Sequence, residues 1–142
     1  FMPSTTYDSS RVLLGGTDGF IRNLDWESEN DDGTNFSSYI DIGPIPLAQI
    51  GSVGRLLSME GVVAESSGDI TWGVYPALTF EAAASATTAS ETGTWIAGLN
   101  ALVRPVGRGQ AFMLRLTGTA GEKWAFEGAA AEIASAGRRR IS

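Results

Sequence analysis

The side chains able to do chemistry in this sequence are sixteen carboxylates and ten cationic groups, because the 142 residues include no cysteine and no histidine. That absence removes thiolate nucleophiles, disulfides, zinc sites of the usual kind and every Ser-His or Cys-His catalytic arrangement. Two groups of the acids could carry chemistry. One is the segment Asp25 to Asn35, which carries Asp25, Glu27, Glu29, Asp31 and Asp32. Glu27, Glu29 and Asp31 alternate as the oxygen ligands of a calcium loop do, yet Asp32 stands where the sixth position needs glycine and no glutamate stands at the twelfth. The segment reads as a solvated loop whose charge discourages edge-to-edge aggregation. The other group is Glu60, Glu81, Glu127 and Glu132, on stretches read as strands, where an outward carboxylate is the ordinary outcome. A glycosidase needs two acids held about 5 to 9 Å apart, and nothing in the spacing selects a pair. Gly15-Gly16 with Gly19 lacks the Lys-Ser or Lys-Thr of a phosphate loop and opens onto a strand, so it reads as a hairpin turn. No catalytic, cofactor-binding or metal-binding residue is expected, and the chain is read as non-enzymatic.

The cationic side chains are distributed unevenly. Arg104, Arg108, Arg115, Arg138, Arg139 and Arg140 are six of the ten. Guanidinium groups make forked hydrogen bonds to carboxylates and carbonyls, so an arginine-rich end meeting an acidic loop of a neighbouring copy is a natural subunit contact. Arg138, Arg139 and Arg140, then Arg104 and Arg108, are the expected contact residues. A solvated tail and contact with packaged DNA are the competing readings. The formal net charge of −6 disfavours the DNA reading, since coating nucleic acid means neutralising phosphates.

The elements that must position these groups read as β. Apolar residues make up 43% of the chain, enough for one domain with a core, and glycine is abundant at 18 residues, which suits tight turns. No apolar run approaches the roughly 18 to 20 residues that span a bilayer as a helix, so no membrane partner is expected. Residues 1–10 read as an N-terminal extension, with further sequence expected before Phe1. Residues 11–142 read as a single β domain, with a hairpin and the acidic loop in 11–50 and a β-sandwich core in 51–142.

Within that domain, Arg11 to Leu14 and Phe20 to Leu24 flank a Thr17-Asp18-Gly19 turn and predict a hairpin. Ser37 to Ile42 predicts a strand that Pro44 and Pro46 end or kink, which favours a sheet edge. Gly54 to Glu65 predicts a long strand with Leu57, Met59, Gly61 and Val63 on one face and Ser58 and Glu60 on the other. Ile70 to Tyr75 follows with Ile70, Trp72 and Val74 inward, and the spacing predicts that these two strands form a second hairpin. Leu78 to Ala82 reads as a further strand before a connecting loop, with a short helix as the alternative. Ala111 to Thr117 alternates most cleanly. Trp124 to Ala134 has helix-favouring alanines and glutamates, but the short turn at Thr119 to Lys123 argues for a strand returning antiparallel to its predecessor. An antiparallel β-sandwich is the expected fold, with a closed barrel second.

The segments LLGGTDGFIRNLD and SSYIDIGPI, then the strand at Gly54, Ile70-Thr71-Trp72, RPVGRGQAFMLRL and WAFEGAAAEIASAGRRR, occur in an order that resembles structural proteins of tailed bacteriophages. The first part is similar to the end of a propeller-like region, and the rest to the β-sandwich portion of tail hub, nozzle and head-to-tail adaptor proteins. The resemblance covers most of Val12 to Arg140. It implies a virion protein that forms homo-oligomeric rings with other virion proteins around a channel, binds no cofactor or small-molecule substrate and catalyses nothing. The chain is shorter than a full propeller requires. A carbohydrate- or receptor-binding β-sandwich module is the other expectation, in which Trp26 or Trp95 would stack on a ligand.

Overall fold

A computed structural model describes residues 12–24, 30–31 and 33–138. The chain forms two compact units, one up to Phe36 and one from Ser37 onward. The boundary between the units falls before the strand at Tyr39.

In the first unit, β1 (Val12–Gly15) and β2 (Ile21–Leu24) pair antiparallel with Gly15 opposite Ile21, the hairpin predicted from the turn chemistry. Gly19 sits at φ +86°, a conformation an L side chain resists. The Asp18 carboxylate accepts from the Phe20 amide at 3.1 Å and pairs with Arg22 at 2.7 Å. That guanidinium and the amide hold the Asp18 carboxyl below the usual range. Part of the acidic segment is also paired: β3 (Asn30–Asp31) and β4 (Thr34–Asn35) make a minimal hairpin where a loop was expected. Residues 25–29 lie outside the described residues.

The second unit is an antiparallel sandwich. One four-stranded sheet has the order β5 (Tyr39–Pro46), β11 (Ala111–Gly118), β7 (Ile70–Ala77), β8 (Glu91–Trp95). The other has the order β10 (Gly107–Gly109), β6 (Ser52–Val63), β12 (Phe126–Arg138), with β9 (Gly98–Leu99) also on β6. Leu56, Met59 and Val63 of β6 meet Ile70, Trp72 and Val74 of β7, Phe112, Leu114 and Leu116 of β11, and Trp95 in one buried cluster. Each fully buried side chain of this size contributes about 1.5–3 kcal/mol.

The helix α1 (Phe80–Ser85) replaces the strand expected at Leu78 to Ala82. The Thr79 hydroxyl accepts from the Ala82 amide at 3.1 Å and caps its first turn. Short alanines let the helix lie close on β5, β7 and β11, burying Ala83. Ala111 and Met113, opposite in alternation to Phe112 and Leu114, are buried as well, so β11 is covered on both faces.

Two expected pairings are not formed. β6 and β7 do not make a hairpin, because they lie in different sheets. Val63 and Ile70 are both fully inward, and residues 64–69 arch over the sandwich edge between them. The arch is held by bonds from Ala64 N to Ala125 O and Gly68 N to Lys123 O. Likewise the strand expected over Trp124 to Ala134 is formed from Phe126 onward, but β12 pairs with β6 rather than with β11. At the β6–β7 arch, crossing between sheets buries the apolar sides of consecutive strands against each other, where a flat hairpin would leave both on one layer.

Leu57 is a third correction. It is 39% exposed, whereas Leu56, Met59 and Val63 are buried. The register runs from Ser58 opposite Glu132 to Leu56 opposite Ile133, so Leu57 is the extra residue of a β-bulge and the alternation changes phase there. β5 takes the predicted edge. Its two prolines stand beside a second bulge, where Phe112 faces Ile45 but Leu114 faces Ile42.

Candidate functional site

Pairing of β10 with β6 sets Arg108 directly opposite Arg55, with Gly109 opposite Gly54 and Gly107 opposite Leu56. Directly opposed residues of an antiparallel pair share a sheet face, and two like charges placed so cost about 0.2–1 kcal/mol. Arg104 approaches from the segment before β10. The three arginines, with Leu57, Pro105 and Val106, line an open cleft of about 320 Å³. None of the three side chains makes a hydrogen bond or ion pair among the described residues. The wall is held firmly: the Val106 amide donates to the Glu91 carboxylate at 2.6 Å, and the Ser90 hydroxyl donates to the Val106 carbonyl at 2.6 Å. Glu91 is thereby turned to the backbone instead of to a guanidinium. The cleft joins unneutralised positive charge to exposed aliphatic surface, with Val106 71% exposed. Such a surface fits an anionic partner that also brings apolar atoms.

Arg115 shows the opposite condition. Its guanidinium makes two bonds to the Asp41 carboxylate, at 2.7 and 2.8 Å, across the β5–β11 pair. It also lies 4.6 Å from the Tyr39 ring centre and 5.5 Å from that of Tyr75. The Arg115 partnership lowers the Asp41 pKa and, reciprocally, raises that of Arg115. This arginine is a strut within the sheet and is unavailable to a partner.

Of the five expected contact residues, the structure brings Arg104 and Arg108 together. Arg138 ends β12, exposed and opposite Ser52. Arg139 and Arg140 lie outside the described residues. Arg55 was missed, since only the strand pairing makes it Arg108's neighbour; the one local signal is that a glycine precedes each.

The other candidates disperse. Glu81 is in the first turn of α1, not on a strand. Glu60 and Glu132 share a face, since Glu60 faces Ala130 two residues away, and both line a depression of about 270 Å³. The Glu132 carboxylate accepts from the Ser58 hydroxyl at 3.3 Å. No three metal-binding side chains cluster among the described residues, while Glu27 and Glu29 lie outside them. Trp95 is 1% exposed, packed beside Trp72 at 6.2 Å between ring centres, and cannot stack on a ligand. Trp26 lies outside the described residues. No helix among the described residues is long and apolar enough to cross a membrane.

Comparison with protein-family models and with curated proteins gives no match.

Proposed function

We propose that this chain is a structural subunit that acts by packing against other subunits, in the tail or at the head-tail junction of a tailed-phage virion. The observation that carries the assembly part is the arginine cleft. Three guanidinium groups stand unneutralised in a chain of net charge −6, two of them directly opposed across a strand pair. An isolated subunit bears that repulsion, and a carboxylate-bearing surface of a neighbour relieves it. Contact with nucleic acid is the weaker use of the same groups, given the overall negative charge. The virion placement is supported by the order of the segments that resemble phage tail and adaptor proteins, and it brings homo-oligomeric rings and other virion proteins as partners. A carbohydrate-binding module has lost Trp95 as its platform.

The test is native mass measurement across protein and salt concentration, on the wild-type chain and on an Arg104→Glu/Arg108→Glu variant. Association that weakens with salt, and at least tenfold with the double charge reversal, is expected. A wild-type chain that stays monomeric at high concentration and low salt overturns the reading.

A further inference from the structure

β12 is thirteen residues long and closes one end of its sheet, pairing only with β6 among the described residues. Its outer side therefore presents a row of unpaired amides and carbonyls. It is also bare: residues 129–133 are exposed on both faces, and Ile133 is 45% exposed. A stable monomer blunts such an edge with proline, lysine or shortness. The other edges of the sandwich are blunted. β5 carries Pro44 and Pro46, β8 has five residues, and β10 and β9 have three and two. β12 has no proline and no lysine, and alanine fills four of its positions from Ala129 to Ala134, although its register against β6 shifts at Phe126/Gly128, Glu132/Ile133 and Ser135/Arg138.

We propose that the open edge of β12 pairs antiparallel with β12 of a second copy, about a two-fold axis. Two observations choose this occupant. A strand that covers this edge must itself be long, free of proline and without a second neighbour, and among the described residues of this chain only β12 is. Its charges are also self-complementary in the antiparallel sense. Glu127 and Glu132 occupy its first two-thirds and Arg138 its end. Glu127 and Arg138 have no ion-pair partner among the described residues. Antiparallel pairing sets the acids of one copy toward the Arg138 end of the other, whereas parallel pairing sets like against like. The axis then falls within residues 132–135. A two-fold contact closes on itself, so it joins subunits in pairs and leaves the arginine cleft for the head-to-tail contact that builds rings. The inference shares with the proposed function the premise that copies associate, but it uses a different surface.

The absence of native cysteine gives a clean test. Single cysteines are placed in turn at residues 128–135, for example Ala131→Cys, and the full-length variants are oxidised mildly with copper phenanthroline. A two-fold antiparallel pair crosslinks efficiently only where a residue meets its own copy, giving one sharp maximum within 132–135 and little product two positions away. Comparable yield at all positions indicates parallel pairing, and no maximum in an associating protein places the contact elsewhere; either overturns the inference. Glu127→Arg and Arg138→Glu, each alone, raise the dimer dissociation constant by about tenfold, and together restore it. If association depends on Arg104 and Arg108 while β12 gives no crosslink, the pairing fails and the proposed function stands. A strictly monomeric chain removes both.

Discussion

The two sheets of the sandwich are built to different ends. In the sheet of β5, β11, β7 and β8, the interior strand β11 is covered on both faces from Ala111 to Leu114, by the shared core within and by α1 outside. Its only arginine is neutralised by Asp41. In the sheet of β10, β6 and β12, β6 supplies the core, while the strands on either side carry free arginines or lie bare. One sheet has its arginine paired inside the subunit, and the other carries arginines that have no ion-pair partner among the described residues. That contrast separates stability from association: substitutions in the first should change folding, and substitutions at the margins of the second should change assembly.

Trp95→Ala should produce the largest loss of stability, about 3–5 kcal/mol, because the ring is 1% exposed and spans from the first sheet to β6. Urea unfolding followed by tryptophan fluorescence measures it; a loss below 1 kcal/mol would mean that the interior is not shared between the sheets. The partner of that ring is Gly61, where an added Cβ would come within 2.5 Å of it, so Gly61→Ala should cost about 1–3 kcal/mol by overpacking. Asn100 offers a polar counterpart. Its side chain accepts from the Ile96 amide at 2.8 Å and donates to the Ile96 carbonyl at 2.8 Å. Asn100→Ala should therefore cost about 0.5–1.5 kcal/mol by removing its bonds to the part-buried backbone groups of Ile96.

The Arg115–Asp41 pair should matter less, because both side chains are about a third exposed to solvent. The Asp41 pKa is lowered on folding, chiefly by its bond to Arg115. Its contribution is therefore present above the ordinary value of 3.8 and is lost as pH falls through the lower folded value. The size is under ~1 kcal/mol. Wild type and Asp41→Asn should thus differ in urea midpoint at pH 7 and converge as the pH drops below 4; a gap that widens on acidification would contradict the assignment. Smallest of all is Ile133→Ala on β12, expected to change monomer stability by less than ~1 kcal/mol, since the side chain is nearly half exposed already. A larger loss in dilute monomer would show that β12 belongs to the core after all.

Much of the strand content was legible. Alternation located β7, β11 and β6, and the Asp18-Gly19 turn located the β1–β2 hairpin. β12 was read correctly against its helix-favouring alanines, although the reason given, a return along β11, was not the one the fold uses. Within the candidate site, Arg104 and Arg108 could be singled out by their crowding in the last third of the chain. Arg55, the third member, could not, because it stands fifty-three positions before Arg108 in a chain whose hairpin spacing suggested other partners.

The sequence by itself determined which segments are extended and, away from bulges, which of their side chains face inward, because a strand's two-residue period is a local property of the backbone. Only the tertiary structure decided which strands pair, where Leu57 breaks the period and that Arg55 faces Arg108. Those outcomes depend on how two apolar sheet faces close over one another, and that closure turned two apparent hairpins into arches and left β12 at the margin.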